Sequence, residues 1–445
     1  MIMYGPTSTF NVCELYHKDN VVCPPKLKKG LFTTAAVDNI DHNPTSTSAK
    51  TAFHGTVITL MQHKFPEETG VARDFATQSD NVTPTLNMKV KQLPSDYEIV
   101  PPCFVDIKKS TCPQSEIYTH DVSTTTPLVI EKDWLESTMT NDFKPWAAHH
   151  AATDKDIQER HSTDIAILPL FREYAHTPAM MLHSMNIVTK ATKFINPDQI
   201  PVIVADQPLY TLLKQLQYLF PLKVGEDKIL IMMGGLHIEM AALRLIGQWL
   251  SGSGWVEALV QANVTTQGRS ESMLTASHVT RTRYAHQVTA AALYYLQKEA
   301  YQAQLDVGDE AQGPLITFGE WRLEKCASTP QFKYWDLVLN LELMILQFVG
   351  AIRKGDYKIY LDSIRRLLPW FFALDHINYS RWLSVHLRDL VNLEKMHPDL
   401  LKHFEKGQFV ARKTDRPFSG IALDQAHEQI NAILKGDGGK NAKKY

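Results

Sequence analysis

The pattern of apolar and polar positions changes character along this chain. Up to about residue 65 the apolar residues fall in short runs rich in Thr, Val, Ile and Phe, GLFTTAAVDNI and TAFHGTVITLMQH. Between them lies DHNPTSTSAK, whose Pro, Asn and Ser favour a turn, so the pattern predicts two adjacent strands. From about 66 to 160 the chain breaks into PEETG, ATQSDNVTPT, KSTCPQS and VSTTTP. That predicts a loop-rich insertion, with a strand at SDYEIVPP and helical patches around Trp134 and Trp146. The middle is clearer: IPVIVAD is a continuous apolar run ending in an acid, and PLYTLLKQLQYLF follows it at helical spacing. The unit repeats as KILIMMGGLH and IEMAALRLIGQWL, and strand–helix–strand–helix implies parallel pairing with a right-handed crossover. Beyond Trp255 three long stretches, starting at His278, Phe332 and Tyr357, carry apolar residues every three or four positions, which predicts a helical subdomain.

Six segments follow: 1–65, the first strands of an α/β core; 66–195, an irregular insertion with some helix; 196–250, the strand–helix repeat; 251–405, the helical subdomain; 406–436, a terminal helix returning to the core; and 437–445, a disordered tail.

Composition narrows the function classes. The apolar share of 44%, charged share of 21% and formal charge of −2 describe a globular chain, neither a polyelectrolyte nor a strongly basic nucleic-acid binder. Five scattered cysteines without a CxxC pair argue against a zinc finger or a disulfide framework and favour a reducing compartment. The N-terminus has no basic segment leading into an apolar run, and the most apolar later stretch, 337–352, is shorter than a bilayer and carries Asn340 and Glu342. The expectation is an intracellular protein, neither secreted nor membrane-bound. GxxxxGK[ST], GxGxxG and GxSxG are absent and there is no haem motif, so nucleotide-fold and serine-hydrolase readings have no anchor.

The candidate chemistry is acidic. Asp206 ends an apolar strand, where parallel sheets bind ligands, although Asp is also a common helix cap. Asp38 and Asp41 follow GLFTTAAV; an odd separation along an extended chain aims them at opposite faces, and Asp38 is the choice, with a turn as its plain alternative. His237 and Glu239 in GGLHIEM offer a metal or phosphate contact at a helix start, against a buried, hydrogen-bonded histidine. Glu428 shares a helix face with Asp424, which a solvated face would also explain. Asp375 and His376, after an apolar run, cap a helix or line a cleft.

The order of these features resembles the hAT-type DDE transposases: an Asp on a first strand, a second strand, an Asp after a later strand (IPVIVAD), GGLH, a long helical stretch and a Glu on a terminal helix. The resemblance implies a ribonuclease-H-like mixed sheet with a large all-helical insertion. Asp38 (with Asp41 in reserve), Asp206 and Glu428 would hold two Mg²⁺ or Mn²⁺ ions for cleavage or strand transfer of DNA. GGLH would stand where that family carries CxxH, with Gly234 in place of the cysteine. The phrases GLFTTAAVDNIDHNPTSTSA, GGLHIEMAALR and WFFALDHINYSRWL also resemble a multicopy, uncharacterised animal family of transposon-derived appearance. DNA phosphates would meet Arg281, Arg283, Arg412 and Lys413, with Arg365 and Arg366 as further candidates, and a DNA substrate implies the nucleus. The chain begins almost at the first strand, without the upstream zinc finger the resemblance implies, so a truncated, decayed or domesticated copy is expected. The rival expectation is a non-enzymatic scaffold whose aromatic-rich helices at 334–372 dock a protein partner.

Overall fold

The computed structural model describes residues 6–42, 53–73, 93–107, 126–140, 143–154, 161–308 and 316–435. The expected tail at 437–445 lies outside them. The chain divides into two compact units, Met1–Tyr118 with Asp156–His237 and Trp382–Tyr445, and Thr119–Lys155 with Ile238–Arg381.

The first unit is mixed α/β. Its five-stranded sheet has the order β3-β2-β1-β4-β5, made of β1 (Thr33–His42), β2 (Phe53–Gln62), β3 (Asp164–Ile167), β4 (Val202–Ala205) and β5 (Leu230–Met233). β1, β2 and β3 pair antiparallel, whereas β4 joins β1 in parallel and β5 joins β4 in parallel. Every residue of VIVA in β4 and LIMM in β5 is buried, the continuous apolar pattern of strands covered on both faces. β1 is longer than its apolar run predicts, so Asp38 and Asp41 lie inside the strand instead of following it. The cause is pairing: β2 matches β1 residue for residue from Thr33↔Gln62 to His42↔Phe53 and carries it through its polar half.

Helices α1 (Pro178–Ile195), α2 (Gln207–Leu219) and α3 (Gly235–Leu250) follow in order. α1 starts on a Thr177 cap accepting from the Met180 N–H, with Pro178 in the first turn, and packs against β1 and α2. Both α1 and β3 fall in the stretch expected to be irregular. SDYEIVPP forms a single helical turn, Ser95–Glu98, instead of the expected strand. No strand pairs with it among the described residues, and Tyr97 anchors it by stacking on Phe171 at 4.3 Å and donating its hydroxyl to the Pro169 carbonyl.

The second unit is helical. α4 (Val279–Gly308), α5 (Pro330–Lys354) and α6 (Tyr357–Ala373) are its longest members, with α5 packed against both others. α5 is apolar nearly all round, which suits a central helix, and ends on Gly355 in the left-handed conformation (φ 77°). Among the described residues α5 alone is long and apolar enough to cross a membrane, and 67% of its most apolar stretch is buried inside the protein, as in a core helix. The last helix, α7 (Leu423–Lys435), belongs to the first unit and packs against β1 and β4.

A candidate acidic cleft at the carboxyl edge of the sheet

In the parallel pair β1–β4, Ala35 lies beside Ile203 and Ala36 beside Val204, so two residues further on Asp38 comes level with Asp206. There β4 has ended and its chain turns into α2, while β1 runs on to His42. Asp206 caps α2: its Oδ1 accepts from the Leu209 N–H at 3.0 Å. Helix α7 brings Asp424, His427 and Glu428 against the same edge, and α3 brings His237. These six side chains, with Ala36, Val37, Val204 and Ala205, line one small cleft of about 210 Å³.

Asp38 receives the Asn39 N–H on Oδ1 at 2.7 Å. Burial, then the negative charges of Asp206 and Glu428, push its carboxyl up to about 7, and a hydrogen bond with Glu428 adds to the rise. A protonated Asp38 donates that hydrogen bond to the Glu428 carboxylate.

The other half of the cleft is an ion pair built on a helix start. Asp424 accepts the Leu236 N–H on Oδ1 and the His237 N–H on Oδ2, each at 3.1 Å, capping α3 from 187 residues further along the chain. Oδ2 also meets His237 Nδ1 at 2.9 Å. Burial alone would lower the imidazole, but the bond and charge of Asp424, then Asp206 and Asp38, raise it to about 9. Gly234 makes this contact possible: a Cβ there would lie 2.2 Å from Asp424 Oδ2. His237 therefore stands on the first turn of a helix instead of ending the strand. His427 is buried, meets Thr59 Oγ1 of β2 at 2.8 Å, and is held neutral near 4 by burial, against the pull of Asp424.

Of the residues singled out in the sequence, Asp38, Asp206, Glu428, His237 and Asp424 line this cleft. Asp41, in β1, pairs with His54 of β2, and its side chain lies outside the described residues. Glu239 and Arg283 do not line the cleft; they bind each other in the helical unit, buried, in a bidentate ion pair of 2.6 and 2.8 Å. That corrects both assignments, because a guanidinium spent on a buried carboxylate is withdrawn from phosphate binding. Asp375 occupies a left-handed turn (φ 54°) between helices, and His376 bonds Gln248 at 3.2 Å, so these two form a helix junction. Arg281 and Lys413 are exposed, Arg366 pairs with Asp362, Arg365 is half-buried, and Arg412 is buried in strand β6 (Ala411–Arg412), which pairs with β7 (Gly420–Ile421). His427 has no individual signal in the sequence, since one histidine beside Glu428 on an amphipathic helix reads as packing.

The donor chemistry of the cleft suits a hard cation: carboxylate oxygens, and a carboxyl whose proton affinity is raised by two neighbouring acids. Among the described residues, no group of three or more His, Cys, Asp or Glu side chains is arranged to hold a metal ion.

Fold and cleft define a mixed α/β protein with an acid-lined cleft at the carboxyl edge of parallel strands. A family model described as Domain of unknown function (DUF8702) matches residues 145–317 and 309–444, most of the chain, which therefore belongs to that family. Asp206, His237, Asp424 and Glu428 fall inside the matched residues, and Asp38 lies ahead of them. No curated protein and no solved structure matches the chain.

Proposed function

We propose that this chain is a ribonuclease-H-like protein of transposase descent that cleaves or transfers DNA phosphodiesters with Mg²⁺ or Mn²⁺. The observation that carries the reading is the convergence of Asp38, Asp206 and Glu428, from a strand, a strand end and a distant helix, on one cleft. The antiparallel β3-β2-β1 half of the sheet, continued in parallel by β4 and β5, gives further support.

In this reading Asp38, Asp206 and Glu428 would hold the cations, closing on them from their positions around the cleft. Divalent cations, when bound, would supply Lewis-acid activation of the attacking oxygen and charge stabilisation of the leaving one. Asp206 keeps Oδ1 on the Leu209 N–H and offers Oδ2, so the carboxylate is oriented before any cation arrives. Asp38 would release its proton to solvent on taking up a cation. His237, held cationic by Asp424, supplies positive charge toward a substrate phosphate. Purified protein should nick supercoiled DNA in Mg²⁺ or Mn²⁺ and stop on chelation. Asp206→Asn should lose this activity at least 100-fold, and equal nicking by both proteins would remove Asp206 from the mechanism. The scaffold alternative draws less support, since of the aromatic residues at 334–372 only Phe372 is exposed.

A further inference from the structure

A second pocket, of about 290 Å³, opens in the α/β unit at the opposite end of β1. Its walls come from the chain just after β2, from residues 161–163 and from the turn 406–412. His63 follows Gln62, which pairs with Thr33 at the start of β1. Asp38 lies five residues along that strand, so the pocket stands roughly 17 Å from the acidic cleft.

We propose that this pocket is a binding site for a small phosphate-class dianion, gripped by Lys64, Lys406, Arg412, His63, His161 and Gln408. Its lining is basic and rich in donors, without a carboxylate of its own. Gln408 is 3% exposed; its Oε1 meets His403 Nδ1, while its Nε2 has no partner among the described residues. A buried amide donor left this way is costly, and a ligand oxygen relieves the cost. Arg412, 8% exposed, is fixed in the wall by main-chain bonds on both sides: its N–H donates to Thr163 Oγ1 at 2.9 Å and its carbonyl accepts the Thr163 N–H at 2.8 Å.

Two acids stand at the rim. Asp164 meets Lys64 at 2.8 Å and Glu68 meets Lys406 at 3.3 Å, all four side chains being at least one-third exposed. Such solvated pairs are weak and exchange readily for a dianion that also collects buried donors. Burial, with the charges of His403 and Arg412, holds the His63 imidazole neutral, near 3. His63 therefore takes part as a neutral imidazole, its Nε2 meeting Thr34 Oγ1 at 3.0 Å. Gly407, left-handed at φ 79°, turns the chain between Lys406 and Gln408 so that both reach the pocket.

Calorimetric titration of the full chain with inorganic phosphate at constant ionic strength tests the site, with chloride as the control. Saturable one-to-one binding is expected, with a rise in Tm that chloride does not give. The Lys64→Gln/Lys406→Gln double variant, changed only at the solvated rim, should keep the Tm of the free protein and weaken phosphate at least tenfold. Arg412→Lys and Gln408→Leu should weaken it further. Adenosine monophosphate compared with adenosine separates the sources: binding of the monophosphate assigns a nucleotide or terminal phosphate, and binding of inorganic phosphate alone assigns the free ion. Absence of saturable phosphate binding, or unchanged affinity in the rim variant, overturns the proposal. Asp206→Asn should bind phosphate like the parent chain, so the outcome is independent of activity at the acidic cleft.

Discussion

Asp38 and His237 are opposite solutions to one electrostatic problem. Asp38 sits among acids and holds its proton up to about pH 7, so the folded chain binds more protons than the unfolded one between about pH 4 and 7. Its contribution is greatest below the ordinary carboxyl range and is lost as the pH rises through 7. Asp38→Asn should therefore stabilise the chain at pH 8 in chelator by about 1 kcal/mol once solvent screening is discounted, read as a raised Tm, while abolishing metal-dependent nicking. Scanning calorimetry beside a nicking assay checks both halves, and a Tm lowered at pH 8 would contradict the charge argument. His237 is raised, so its contribution is complete below about 6.5 and disappears as the pH climbs through 9. Asp424→Asn should move the His237 titration, followed by NMR of the imidazole, down by at least one unit. Gly234→Ala should do the same without touching a charge, because the new methyl group displaces Asp424, at about 1–3 kcal/mol in urea unfolding.

At the scale of elements, the cleft depends on helix starts. Asp206 has two duties that substitution can separate. Asn caps helices as well as Asp, so Asp206→Asn removes the charge but keeps the α2 cap, and Asp206→Ala should be less stable than Asp206→Asn by about 1 kcal/mol in urea unfolding. Both should lose nicking; equal stability of the two variants would mean that the cap does not hold α2. The elements that the sequence made legible are those with strong periodicity: β4 and β5 as unbroken apolar runs, α5 and α6 as long three-four patterns. α1 carries the same signals, a Thr177-Pro178 start and apolar residues from Met180 to Ile195, but its setting among polar segments masked it. β3 has four residues and one buried side chain, too few for any period. The acids Asp38, Asp206 and Glu428 were legible as candidates because each ends or faces an apolar pattern. Their meeting was not, because it depends on the register between β1 and β4 and on where α7 returns. The duty of Asp424 was equally hidden, since a cap supplied from 187 residues away leaves no local signature.

For the whole molecule, the proposed function would tie stability to a cation at the cleft. A cation that binds the folded chain alone stabilises it by about 2.7 kcal/mol at a hundred times its dissociation constant. Millimolar Mg²⁺ or Mn²⁺ should therefore raise the Tm of the parent chain and leave that of an Asp38→Asn/Asp206→Asn double variant unmoved. An equal rise in both would indicate a cation site elsewhere. The strand order adds a consequence at the level of gene products. β1 is the middle of five strands, with β2 on one side and β4 on the other. A chain beginning at Met61 would keep Asp206 and Glu428 yet lack β1, the strand that joins the two halves of the sheet. Such a shortened chain should fail to fold and be cleared by proteolysis.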